Sequence, residues 1–171
     1  MDQIIYFLPI VALLGFIFIA WKSNWVTKQE IGNEKMATIA KHISDGAMAF
    51  LKAEYKILGV FVAAVAVLLF AKSTNEETSN GYVVISFISG AFLSGLAGYI
   101  GMKIATKANV RTTQAAKTSL NKALEVAFNG GSVMGIGVVS LGVLGISLLF
   151  IIFQGLIGIE WGLETVLNVI S

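Results

Sequence analysis

Long uncharged apolar stretches alternate with short polar ones along this chain. Residues 3–21, 57–71, 82–102 and 126–159 carry no charged side chain. A helix rises ~1.5 Å per residue, so about 20 residues cross a ~30 Å hydrocarbon core. The first and third stretches have that length. The second is 15 residues, short for a span unless Lys52, Lys56 and Lys72 snorkel from its ends. The fourth is 34 residues, too long for one straight span, so a tilted helix is expected within it. The pattern predicts transmembrane helices over 1–21, 57–72, 82–102 and 127–153. The fold class is an all-α polytopic membrane protein with four transmembrane helices.

The first stretch also competes for a reading as a signal peptide. That reading would want positive charge before the apolar run and a small-x-small cleavage site after it. Asp2 precedes the run and Ala20-Trp21-Lys22 ends it, which favours a retained span with Trp21 and Trp25 at the interface.

The polar segments differ from one another. Residues 22–56 repeat Met36, Ile39, Ala40, Ile43, Ala47 and Phe50 at helical spacing among lysines. They read as a cytoplasmic amphipathic helix running into the second span, with one long helix expected from Asn33 to Lys72. The segment 72–81, KSTNEETSNG, is a compact polar loop. Residues 103–125 read as a basic cytoplasmic loop. Residues 154–171 read as an external segment, marked by Glu160, Trp161 and Glu164, and the start of a truncated fifth helix at Val166–Ile170.

Composition agrees with membrane burial. Of 171 residues, 56% are hydrophobic and only 13% charged, about half the share of a soluble domain. Eighteen glycines and a single proline suit close helix packing in lipid. A small-residue stripe on the third span (Gly90, Ala91, Ser94, Gly95, Gly98, Gly101) and the Gly131/Gly135 pair on the fourth are the expected packing faces. The chain has no cysteine, which excludes a disulfide framework, a thiolate metal site and a cysteine nucleophile. Net charge is only +2, but 11 of the 12 basic residues fall in 22–56 and 103–122. By the positive-inside rule the N-terminus is expected outside and both basic segments in the cytoplasm.

Candidate chemistry is sparse. No span carries the intramembrane charge usual for a pump or channel; its polar side chains are mainly Ser86, Ser89, Ser94, Tyr99 and Ser140, with Asn129 near one end. The lone His42, with Asp45 three residues on, lacks further metal ligands and reads as a surface histidine. Glu30, Glu34, Asp45 and Glu54 alternate with lysines, and Lys41 can pair with Asp45. Lys103, Lys107, Arg111, Lys117 and Lys122 could bind a phosphate compound or lipid headgroups; holding the loop inside is the simpler account. The Gly130-Gly131-Ser132 stretch lacks the lysine of a phosphate loop.

Three blocks nevertheless carry a specific resemblance. GMKIATKANVRTTQAAK (101–117) followed by ALEVAFNGGSVMG (123–135), and GNEKMATIAKHISDGAMAFLKAEYK (32–56), closely resemble the membrane-bound, ion-translocating pyrophosphatases. The resemblance covers nearly the whole chain in order and spacing. It implies an N-terminal fragment of a homodimeric, sixteen-helix pump. Such a pump hydrolyses magnesium pyrophosphate on the cytoplasmic side and drives H+ or Na+ outward. It implies Mg2+ as cofactor, with any K+ requirement set beyond Ser171, and a prokaryotic plasma membrane as the location. The family's catalytic and gate residues begin with the fifth helix. No catalytic, cofactor-binding or metal-binding residue is therefore expected here. The expected role is a scaffold in the outer ring, with membrane lipid and the rest of the polypeptide as partners and no nucleic acid. The rival is a stand-alone four-helix structural or interaction protein without hydrolase activity. A lipid-binding adaptor using the basic segments is a third reading.

Overall fold

The computed structural model describes residues 6–73 and 82–155. The described chain forms four helices: α1 (Leu8–Thr27), α2 (Glu34–Ser73), α3 (Tyr82–Ala116) and α4 (Leu120–Gly155). No strand occurs among the described residues. All four helices are long and apolar enough to cross a membrane. In lipid an unpaired backbone amide costs several kcal/mol, so uncharged stretches of this length satisfy their amides as helix.

Helix ends follow local chemistry. Pro9 stands in the first turn of α1, where its missing N–H is not needed. Between α1 and α2, Gly32 takes a φ of +98°, a conformation that side chains with a Cβ resist. Asn33 then caps α2: its side-chain oxygen accepts from the Met36 N–H at 3.0 Å. Ser119 caps α4 in the same way, accepting from the Lys122 N–H at 3.2 Å.

The expected helix from Asn33 to Lys72 matches α2, a single rod of 40 residues and about 60 Å. The expected loop over 103–125 is corrected. Helix α3 continues to Ala116, and only 117–119 interrupts it before α4 begins. Charge takes the chain out of lipid, but nothing from Lys103 to Ala116 breaks a helix: the segment has neither Gly nor Pro and is rich in Ala. Likewise α1 does not stop at Trp21 but runs to Thr27. Lys22 turns back over the Trp21 ring, 4.8 Å from its centroid, so the charge is held by an aromatic face at the span's end. The external segment and fifth-helix start expected over 154–171 lie almost wholly outside the described residues, as does the loop 74–81.

The most extensive packing is α3 on α4, followed by α1 on α4 and α2 on α3; α1 touches α3 slightly. Helix α4 is thus flanked on both sides, and α2 lies beyond α3. The deepest core joins Val26 of α1, Ile104 and Ala108 of α3 and Val133 of α4, with Ile19 and Trp25 packed against it.

The small-residue faces need a correction. On α4 the inward glycines are Gly130, Gly137 and Gly145. A Cβ on Gly130 would stand 2.7 Å from the Ala108 Cβ, and Gly137 and Gly145 face Ile19 and Leu93. Gly131, Gly135 and Gly142 have nothing within 4 Å of a Cβ position. On α3, Gly101 meets Met134 and Gly98 meets Tyr55, whereas Gly90 and Gly95 are open. Consecutive residues differ by about 100° around a helix, so a shift of one position moves the stripe off the interface. Within the described residues, then, the Gly131/Gly135 pair faces outward.

Candidate functional site

The basic end of the bundle, where the turns 28–33 and 117–119 lie, holds the densest polar structure. Its centre is Arg111. Its side chain is only 9% exposed. Nε donates to the Gln29 carbonyl at 3.1 Å and Nη2 to the Thr27 carbonyl at 3.0 Å. Nη1 donates to the Lys107 carbonyl, one turn back on its own helix, at 2.8 Å. The last carbonyls of a helix lack intrahelical partners and carry partial negative charge. A buried guanidinium from α3 therefore closes the C-terminal end of α1. The Gln29 side chain adds to this closure, donating to the Trp25 carbonyl at 3.1 Å.

Beside Arg111 lies a cavity of about 440 Å3 lined by the ends of three helices. Lys28, Glu30, Lys122 and Glu125 contribute its other charges, with Gln114 and Trp25 in the wall. The Gln114 Oε1 is buried without a hydrogen-bond partner; it lies against Gly32, where a Cβ would stand 2.7 Å away.

The five basic residues singled out from the sequence do not converge. Arg111 clamps α1 and Lys122 lines the cavity. Lys103 lies over the Tyr99 ring, 5.3 Å from its centroid. Lys117 reaches the Met36 sulfur at 3.1 Å, and Lys107 is exposed. Lys28, Glu30, Gln114 and Glu125 escaped sequence reasoning as cavity residues. Arg111 lies 82 positions from Gln29, and no spacing rule joins residues so far apart.

Among the described residues, the acidic side chains form no metal-holding cluster. His42 and Asp45 are both exposed on α2, and no ion pair joins Lys41 to Asp45 among the described residues. No three of the His, Asp and Glu side chains converge in a way that could hold a metal ion among the described residues. Within the spans, Thr106 and Ser147 return their hydroxyls to carbonyls one turn back, at 3.0 and 2.7 Å. Tyr55 donates to the Gly95 carbonyl across the α2–α3 contact.

Four apolar helices with charge gathered at one end define an integral membrane protein. The family model for inorganic H+ pyrophosphatase matches residues 13–170, so the chain belongs to that family. Among its relatives is a "K(+)-insensitive pyrophosphate-energized proton pump 2" of Moorella thermoacetica, 41% identical over 86% of this chain and 21% of the relative. Two others, from Clostridium tetani and Bacteroides thetaiotaomicron, bear the name "Putative K(+)-stimulated pyrophosphate-energized sodium pump". They are 47% identical over 79% of this chain and 38% identical over 92% of it. The chain spans only about a fifth of the length of each (19–22%).

Proposed function

We propose that this chain is the N-terminal four-helix part of a pyrophosphate-energised ion pump, in which it serves as scaffold while hydrolysis and ion movement are carried out by the rest of the polypeptide. The observation that supports this most is the family match along nearly the whole chain, against relatives about five times as long. The outward glycines of α4 support the scaffold role. Gly131, Gly135 and Gly142 offer a surface that another helix backbone can approach closely, and the rest of the polypeptide is its proposed occupant. The transported ion is H+ or Na+, as in the relatives' names. Mg2+, homodimerisation and any K+ requirement belong to the whole pump. The N-terminus is outside, with the turns 28–33 and 117–119 in the cytoplasm, because the lysines gather there.

The test is pyrophosphate-driven ion uptake by inverted membrane vesicles carrying the complete coding frame. Magnesium-dependent hydrolysis with acidification or sodium uptake is expected, and the 171-residue chain alone should hydrolyse nothing. A complete frame that folds and inserts but moves neither ion with pyrophosphate would overturn the reading.

A further inference from the structure

The cavity beside Arg111 has no part in the scaffold role. Its lining is of both signs: Lys28, Arg111 and Lys122 against Glu30 and Glu125. Among the described residues no ion pair consumes these charges. Arg111 uses three of its N–H groups on carbonyls. A guanidinium has five, so two remain. A lining that carries unpaired charges of both signs is complementary to a ligand that carries both signs. At about 440 Å3 the space lies within the range of small-ligand sites.

Depth in the membrane narrows the ligand. The uncharged run ends at Trp21 and α1 continues to Thr27, so its last turn lies about 5–9 Å beyond the hydrocarbon core, in the headgroup layer, where Trp21 and Trp25 are the aromatic residues expected. Trp25 and Lys28 line the cavity, so the cavity sits at headgroup height.

We propose that this cavity binds a phosphate group that also carries an ammonium, as the headgroup of an ethanolamine phospholipid does. Lys28, Lys122 and the spare N–H groups of Arg111 take the phosphate; Glu30 and Glu125 take the ammonium. A soluble phosphate compound shares the anionic half of this chemistry and is the alternative source.

The experiment is native mass spectrometry of the full-length protein, released from detergent with phosphatidylethanolamine, phosphatidylcholine or phosphatidylglycerol added. The expected result is preferential retention of phosphatidylethanolamine. The Lys28→Ala/Lys122→Ala pair should weaken it roughly tenfold, an ordinary loss for a charged contact. A Lys41→Ala/Lys52→Ala pair, on exposed sites of α2, should leave it unchanged. Glu30→Gln/Glu125→Gln should remove the preference for ethanolamine while sparing phosphatidylglycerol. All of these residues are exposed, and size-exclusion profiles confirm that the variants fold. Equal retention in both lysine pairs overturns the site. Binding of inorganic phosphate that needs Lys28 and Lys122, with no lipid retained, overturns the lipid source and leaves a soluble phosphate as the ligand.

Discussion

Replacing Arg111 with methionine is the sharpest perturbation of the α1–α3 junction. Methionine keeps the apolar stem and deletes the guanidinium. Three hydrogen bonds disappear, to Gln29, Thr27 and Lys107. The Lys107 bond lies within one helical turn and bears little on how helices dock. The other two join α3 to the end of α1. Hydrogen bonds to a charged group contribute about 1.5–3 kcal/mol each. The neighbouring cavity admits water to the freed carbonyls, which favours the low end, so the pair is worth roughly 3 kcal/mol. Arg111→Lys keeps the charge but not the fork, so it should recover about half. The assay is the free energy of unfolding in mixed detergent micelles, alongside tryptic cleavage after Lys28. Arg111→Met should lower the first and speed the second, with Arg111→Lys in between. A loss below about 0.5 kcal/mol, the size of an ordinary surface change, with unchanged cleavage would refute the clamp.

Neighbouring glycines on α4 should behave oppositely. Gly130→Ala drives a Cβ to 2.7 Å from that of Ala108 and should cost roughly 1–3 kcal/mol, whereas Gly131→Ala meets open space in this chain and should cost little. In the full-length protein Gly131→Leu should lower folded yield by obstructing the rest of the polypeptide; normal yield would sink that docking face. Gly32→Ala combines a φ of +98° with a 2.7 Å approach to Gln114 and should cost at least about 1–2 kcal/mol in thermal stability. A Ser119→Cys variant should react with an impermeant thiol reagent only after cells are opened; labelling of intact cells would reverse the proposed topology.

Much of this protein is legible in its order of residues. Hydropathy and run length determine the four membrane helices, because lipid leaves a chain of that polarity one way to satisfy its backbone. The KANVRT and GGSVMG blocks carry the resemblance to the family whose model matches residues 13–170. Even the long α2 can be read from the lack of a strong breaker between Asn33 and Lys72. The basic segment was harder. Its charges mark where the chain leaves lipid, but such a boundary does not end a helix, and the backbone of α3 continues through it to Ala116.

Tertiary structure decided the rest. Whether Gly130 or Gly131 meets α3 depends on the rotation of α4 about its axis, and that is set by Ala108, Ile19 and Leu93 on other helices. Arg111 looks like one more topology-setting charge until α1 comes within hydrogen-bond reach of it. The cavity exists only where the ends of α1, α3 and α4 meet. A sequence states what each helix face carries; which faces meet depends on packing between residues far apart in the chain, and local periodicity holds no record of that.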